Sequence, residues 1–255
     1  MVDEVKGASI KFKSYEETVP KILDLLKLQR ELKKYDKIVL KPNLANSSEE
    51  STSREFTEAV LKFCLEHKNP VAEIFIAEGV DGADSGEVFE YLGYGALAEK
   101  YSVGLVDLNK TETKEIEDFD FSKFSTIHYP KILLESLIIS LPKLCENEET
   151  VISGSLSNML GAFPAEHYKG FFSKEKSKIR KWPIKYSIHD IVKCKFPDFA
   201  VVDASSQGVI LAGLPLEIDK QAAKLLGKNW KEIPYLKMIE ESLTEKEEKD
   251  EFEWE

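Results

Sequence analysis

Short apolar segments that alternate with amphipathic stretches are the feature that most limits what this chain can fold into. Seven segments have the composition and spacing of buried or half-buried β-strands: 8–13, 37–43, 72–79, 103–108, 136–143, 199–204 and 208–213. Apolar residues recur at helical spacing between many of them, for example at 217–227. This alternation is typical of a mainly parallel, twisted sheet with helices on both faces, and it predicts a three-layer α/β fold.

The sequence also predicts where several elements begin and end. Pro20 is tolerated only in the first turn of a helix, so the first helix is expected to begin near it. A capping-box pattern at 52–55 opens a second helix. Single helices are predicted over 85–100 and 152–161, and the polar segment 109–129 is predicted to be an irregular surface excursion.

The chain has 255 residues and no break in composition, which predicts a single α/β domain over 1–239. Irregular insertions are expected near 109–129 and 162–195, and an acidic tail over 240–255. The tail carries a net charge of −7 out of −11 for the whole chain, whereas 169–195 carries +7. High lysine and glutamate usage is compatible with a heat-adapted source.

Several function classes lack their sequence signals. The three cysteines form no CxxC pair, so neither an iron–sulfur cluster nor a zinc ribbon is expected, no metal site is predicted, and the cofactor stays unknown. Neither a GxGxxG nor a GxxxxGK[ST] motif follows a predicted strand. No apolar run approaches the roughly 20 residues of a membrane span, and the charged N-terminus does not resemble a signal peptide. We therefore expect a cytoplasmic protein without membrane association.

Polar side chains stand where the predicted strands end. They include Lys41 and Asn43, Glu78, Lys143, and Asp203. Ligands of open α/β sheets bind outside the carboxyl ends of the strands, so these groups are candidates for a shared site. Two lysines beside a helix that opens at Ser153-Gly154 would hold an anion. The competing interpretation is that each residue only caps a strand or forms a turn.

An ordered series of blocks resembles the domain-of-unknown-function family 362. The blocks are VLKPNL (39–44), IFIAEG (74–79), LGYGAL (92–97) with VGLVDL (103–108), SLIISLPKL (136–144), SNMLGAFP (157–164), PDFAVVDA (197–204) and AAKLLG (222–227). The resemblance covers roughly residues 37–236 and implies an α/β fold. Many members carry an added ferredoxin-like cluster domain, for which this chain lacks the cysteines.

The resemblance also places individual residues. Lys41-Pro42-Asn43 match the strand-end signature of the family, Glu78-Gly79 its acidic turn, and Pro142-Lys143-Leu144 the start of its PKLKTH block. Asn158 and Gly161 match as well. The chain departs from the pattern at Cys145-Glu146-Asn147, where relatives have Lys, Thr and His, and at Ser157, where relatives have Lys. These changes remove positive charge and a proton carrier from the predicted site.

The leading functional hypothesis is a protein that binds an anionic small molecule, either as a diverged enzyme or without catalysis. Lys41 and Lys143 would bind the anion, Glu78 or Asp203 would orient it, and Asn43 and Asn158 would supply amide hydrogen bonds. One alternative is a catalytically silent subunit of a protein partner. Another is a module that binds nucleic acid or another polyanion through 169–195, which the overall negative charge disfavours.

Overall fold

The structure is a computed structural model that describes residues 6–252, with the side chains of 6–245. Its strands are β1 Gly7–Lys11, β2 Lys37–Pro42, β3 Glu73–Glu78, β4 Gly104–Asp107, β5 Thr113–Ile116, β6 Ile127–Pro130, β7 Leu137–Leu141, β8 Glu146–Asn147, β9 Val151–Ile152, β10 Phe199–Ala204 and β11 Val209–Gly213. Its α-helices are α1 Tyr15–Leu25, α2 Leu28–Leu32, α3 Arg54–His67, α4 Ser85–Tyr91, α5 Tyr94–Tyr101, α6 Lys131–Leu134, α7 Ala165–Tyr168, α8 Ile184–Cys194, α9 Pro215–Leu225 and α10 Pro234–Phe252.

The central sheet has seven strands in the order β1-β11-β10-β7-β2-β3-β4. Neighbouring strands from β10 to β4 are parallel, whereas β11 runs antiparallel to both β10 and β1. The fold class predicted from the alternating apolar segments, a mainly parallel three-layer α/β fold, is confirmed.

Alternation along β2 shows how the sheet separates two cores. Ile38 and Leu40 belong to one apolar cluster, and Val39 between them belongs to the other. Helices α1, α3 and α5 contribute buried residues to the first cluster, and α8, α9 and α10 to the second. Because both faces of the sheet are covered, its central strands are mostly apolar, and a buried charged side chain such as Lys41 is an exception.

Three predicted helices differ from the observed ones. Helix α1 begins after an N-cap at Ser14, which places Pro20 inside the helix and not in its first turn. The predicted helix 85–100 is two helices, because Gly93 adopts a left-handed conformation with φ of 76°. The segment 152–161 is not an α-helix: β9 ends at Ile152, and a 3₁₀ helix spans Ser157–Ala162.

Two further predictions need correction. The segment 109–129 is not wholly irregular, since β5 and β6 pair antiparallel in a small separate sheet. Ser53, not Thr52, caps α3, because the Ser53 hydroxyl accepts the N–H of Phe56 while Thr52 Oγ1 donates to the carbonyl of Leu141.

The insertion and the tail both contain regular structure. Within 162–195 the chain forms α7, a 3₁₀ helix at Ser177–Arg180, and α8, and it buries Tyr168 and Ile179 in the core. Helix α10 continues to Phe252, so the acidic segment begins within a helix, and residues 253–255 lie outside the described part. None of the helices in this part combines the length and apolar character required to cross a membrane.

Candidate functional site

A buried ion pair joins the carboxyl ends of two central strands. Lys41 lies near the end of β2, and Glu78 is the last residue of β3, the adjacent parallel strand. Lys41 Nζ lies 3.1 Å from Glu78 Oε1 and 2.9 Å from Oε2. Lys41 is fully buried and Glu78 is 2% exposed. Burial lowers the pKa of Lys41, and the adjacent Glu78 carboxylate opposes that shift.

Asn158, in the 3₁₀ helix at 157–162, completes this cluster. Lys41 Nζ donates to the carbonyl oxygen of Asn158 at 2.6 Å and to its Oδ1 at 3.0 Å. Asn158 Nδ2 donates in return to the carbonyl of Lys41 and to Ser140 Oγ, each at 2.9 Å. The structure therefore brings together Lys41, Glu78 and Asn158, three of the six predicted site residues.

Gly161 allows the cluster to pack this closely. A Cβ atom at Gly161 would lie 1.9 Å from Glu78 Oε1 and 2.7 Å from Lys41 Nζ. Such distances are incompatible with any side chain unless the buried pair moves. The glycine is thus required by the close approach of the 3₁₀ helix to the two strand ends.

A cavity of about 300 Å³ opens beside this cluster. It lies at the carboxyl ends of β2 and β3, the location predicted for a ligand site in this fold. The residues that line it include Asn43, Glu50, Glu78, Cys145, Asn158 and Lys176. Asn43 is therefore also placed at the cavity, where its Nδ2 makes only a 3.5 Å contact with the carbonyl of Glu50.

Lys176 is the cavity residue that the sequence did not predict. It lies in the basic insertion, yet only 1% of it is exposed. Its Nζ donates to the carbonyl of Gly79 at 2.7 Å and to that of Gly161 at 3.3 Å. Among the described side chains no carboxylate forms an ion pair with it. Burial lowers its pKa to about 8, although the Glu78 and Asp81 carboxylates oppose the shift.

Ion pairs surround the mouth of the cavity. Arg180 bridges two carboxylates, with Nη1 2.6 Å from Asp81 Oδ2 and Nε 2.8 Å from Glu149 Oε1. Lys228 Nζ lies 2.8 Å from Glu146 Oε2. Two cations thus contact three of the carboxylates at the cavity.

Two predicted site residues bind elsewhere. Lys143 Nζ donates to the carbonyl of Glu49 at 2.6 Å, so its amine has no hydrogen bond to the Lys41–Glu78 pair. Asp203 accepts hydrogen bonds from the Tyr15 hydroxyl at 2.8 Å and from the N–H of Ser205 at 3.0 Å.

The expected anion site at Ser153-Gly154 is occupied by the protein itself. The N–H groups of Ser155 and Leu156 donate to Asp219 Oδ1 at 2.6 Å and Oδ2 at 2.9 Å. Asp219, in α9, is fully buried, and burial raises its pKa to about 7. This internal carboxylate leaves those amides no capacity for a ligand.

Within residues 6–245, no group of three or more histidine, cysteine or acidic side chains is arranged to hold a metal ion.

Comparison with known proteins gives one family match. The family model described as "Domain of unknown function (DUF362)" matches residues 38–209, which is more than half of the chain and contains the Lys41–Glu78–Asn158 cluster and Lys176. No curated protein matches the chain.

Proposed function

The chain belongs to the DUF362 family, and we propose that it binds a small molecule with one anionic group in the cavity beside Lys41 and Glu78. The single observation that carries this proposal is the environment of Lys176. A buried ammonium group is costly unless it has an opposite charge nearby. Lys41 Nζ contacts the Glu78 carboxylate directly, whereas Lys176 Nζ donates only to two neutral carbonyl oxygens and feels the Glu78 and Asp81 carboxylates without direct contact. An anionic ligand group would supply the missing partner.

The charge around the cavity limits the ligand to a small anion. Glu50 lines the cavity and makes no ion pair with a described side chain. Arg180 is already shared between Asp81 and Glu149. A ligand with several negative charges would meet this carboxylate, and the described residues that line the cavity offer no unpaired cation besides Lys176. We therefore expect a single carboxylate, sulfate or phosphate group to bind better than a polyphosphate.

Of the two amide side chains predicted to bind the ligand, we propose that role for Asn43 alone. Asn43 Nδ2 lines the cavity and has one weak contact, so it is able to donate to a ligand. Asn158 instead uses both ends of its side chain within the cluster and positions Lys41. Lys41, Glu78 and Asn158 would then form the rigid floor of the site.

The departures from the family pattern are concentrated at this cavity. Cys145, Glu146, Asn147 and Ser157 all line it. The family resemblance places three basic or titratable side chains among these positions, so the cavity of this chain is less basic. We infer that its ligand differs from the ligands of relatives that keep the pattern.

Ligand binding is tested with the full chain and a panel of anions: acetate, pyruvate, sulfate, inorganic phosphate and pyrophosphate. A ligand present at 100 times its Kd raises the free energy of unfolding by about 2.7 kcal/mol, which a thermal shift detects. We expect one of the compounds with a single anionic group to stabilise the wild type and not Lys176→Met. The matched control is Lys178→Met, because the exposed Lys178 amine donates to the carbonyl of His167 outside the cavity. Stabilisation of all three proteins, or of none, contradicts the proposal.

A second candidate function is supported by the insertion. Phe171 and Phe172 are 93% and 97% exposed, and Lys169, Lys174 and Lys181 nearby make no ion pair with a described side chain. Exposed aromatic rings among lysines are typical of surfaces that bind single-stranded nucleic acid. A filter-binding titration at low salt with a single-stranded oligonucleotide tests this function. Retained oligonucleotide that is lost in a Phe171→Ser/Phe172→Ser variant supports it, and no retention contradicts it.

A catalytically silent subunit is the third proposal. It predicts a stable complex with a protein partner and no turnover of the cavity ligand. Turnover of a ligand bound at the cavity by the isolated chain contradicts it.

A reducing cytoplasm is the compartment that we propose. Cys64, Cys145 and Cys194 form no disulfide, and burial raises the pKa of the Cys64 thiol, which makes it unreactive. We also propose a heat-adapted source, because exposed ion pairs such as Lys37–Glu135 connect separate elements. Cell fractionation and a thermal unfolding scan test these two points.

A further inference from the structure

Lys176 differs from Lys41 in a way that bears on reactivity. Both amines are buried, but the Lys41 ammonium contacts a carboxylate, whereas Lys176 Nζ donates only to the carbonyls of Gly79 and Gly161. Carbonyl oxygens accept hydrogen bonds from an ammonium group and, more weakly, from a neutral amine. Lys176 therefore keeps enough hydrogens to donate to both carbonyls after it loses a proton.

The geometry of the nitrogen leaves one position for a ligand. A lysine nitrogen bears three hydrogens as an ammonium group and two as an amine. Two of the hydrogens are held by the carbonyl oxygens. The third position carries a hydrogen in the ammonium form and a lone pair in the amine form. Lys176 lines the cavity, so we infer that a bound molecule would approach the nitrogen at this third position.

Desolvation favours the reactive form. A lysine that is removed from water and makes no direct ion pair becomes a nucleophile near neutral pH, as in enzymes that form imines with carbonyl substrates. The lowered pKa of Lys176, about 8, is consistent with that environment. Lys178, two residues away and exposed, lacks this desolvation and serves as the comparison.

We propose that the ligand of the cavity is a small 2-oxo acid and that Lys176 forms an imine with its carbonyl carbon. This inference rests on the proposed anion-binding function and names the class of molecule. A 2-oxo acid carries its carboxylate next to the electrophilic carbon, so that one lysine meets both groups. A cavity of about 300 Å³ accommodates a molecule of this size.

The step is balanced without a co-reactant. The Lys176 ammonium first loses a proton to water or to Glu78, whose carboxylate lines the same cavity. The nitrogen lone pair then attacks the carbonyl carbon, and the carbonyl oxygen takes one proton from the nitrogen. A second proton returns from the group that accepted the first, and the oxygen leaves as water. The product is a protonated imine, so the nitrogen regains a positive charge beside the carboxylate of the ligand.

Reductive trapping tests the inference. The full chain is incubated with pyruvate and sodium borohydride, then analysed by intact mass and peptide mapping. We expect one stable adduct on Lys176, loss of that adduct in Lys176→Met and Lys176→Arg, and retention in Lys178→Met. Lys176→Arg keeps the buried cation, and acetate serves as a carboxylate without the reactive carbonyl.

The outcomes separate the two proposals. Stabilisation by pyruvate that needs Lys176, without any trapped adduct, overturns the imine and leaves anion binding in place. No stabilisation by any anion and no adduct overturns both. Equal labelling of Lys178 and Lys176 also overturns the imine, because it shows nonspecific modification. Mapping of the wild-type adduct decides the site even if a variant fails to fold.

Discussion

The buried Lys41–Glu78 pair makes the strongest prediction about stability. The Lys41 and Glu78 side chains are 0% and 3% exposed, so solvent does not screen their interaction. Lys41→Met leaves the Glu78 carboxylate buried with only the N–H of Gly79 as a hydrogen-bond partner, at 2.7 Å. Removal of one member of a buried ion pair costs about 3–5 kcal/mol. For a chain of this size, that corresponds to a fall in Tm of roughly 6–20 °C.

The same reasoning predicts how a second substitution acts. In the double variant Lys41→Met/Glu78→Gln both charges of the pair are removed, and the glutamine still accepts the Gly79 N–H. We therefore expect the double variant to be more stable than Lys41→Met alone. The matched control is Lys37→Met in the same strand, because its pair with Glu135 is 38% and 55% exposed. Solvent screens such an exposed pair, so we expect Lys37→Met to unfold close to the wild type.

Urea denaturation followed by circular dichroism provides the free energies of unfolding for the wild type, these three variants and Glu78→Gln alone. The reasoning is refuted if Lys41→Met lowers the free energy of unfolding by less than about 1 kcal/mol, because removal of one member of a buried ion pair costs more than that. It is also refuted if the two substitutions are simply additive. Independent sites behave additively, and side chains in contact do not.

Three further predictions concern other parts of the molecule. Gly161→Ala should abolish anion binding and lower Tm, because the added Cβ would lie 1.9 Å from Glu78 Oε1. Thermal unfolding with and without the anion measures both effects. The folded-state pKa of Asp219, about 7, exceeds the ordinary value of 3.8, so its stabilising contribution is full below pH 4 and is lost as the pH rises through 7. Between pH 5 and pH 8, urea unfolding should therefore show a larger fall in the free energy of unfolding for the wild type than for Asp219→Asn. Phe171→Ser with Phe172→Ser should change the free energy of unfolding by no more than about 0.5 kcal/mol per site, because both side chains are exposed.

The predicted strands were found from the sequence because the helices cover both faces of the sheet. A strand buried on both faces must be apolar, and it ends where polar residues begin. Lys41 and Glu78 stand at such ends, and adjacent parallel strands bring them together. The core of the site was therefore predictable from strand ends alone, without knowledge of strand order.

Lys143 also stands at the end of a predicted strand, but its amine does not join the Lys41–Glu78 pair. Both lysines adjoin a proline, but Lys41 precedes Pro42 and still belongs to β2, whereas Lys143 follows Pro142 beyond the last residue of β7. One lysine is held over the sheet, and the other extends past it to the carbonyl of Glu49. The sequence shows the order of lysine and proline at both places, but it does not show that β7 ends at Leu141.

Lys176 and Asp219 depend on contacts between distant segments. Lys176 is one of many lysines in a polar segment, and it becomes buried because its backbone N–H binds Asp81 while its amine reaches Gly79. Asp219 lies in a helix and is buried because two amides about 60 residues earlier in the chain require an acceptor. No local periodicity records either contact.

The position of β1 has a consequence for the order in which the sheet assembles. β1 pairs only with β11, so that Gly7 lies opposite Gly213. During synthesis the first strand must wait, unpaired, until nearly all later strands have left the ribosome. Contacts between such distant residues slow folding, because the long intervening loop must close first. We expect the parallel strands around β2 to form an early nucleus, and the N-terminal strand to join the sheet last.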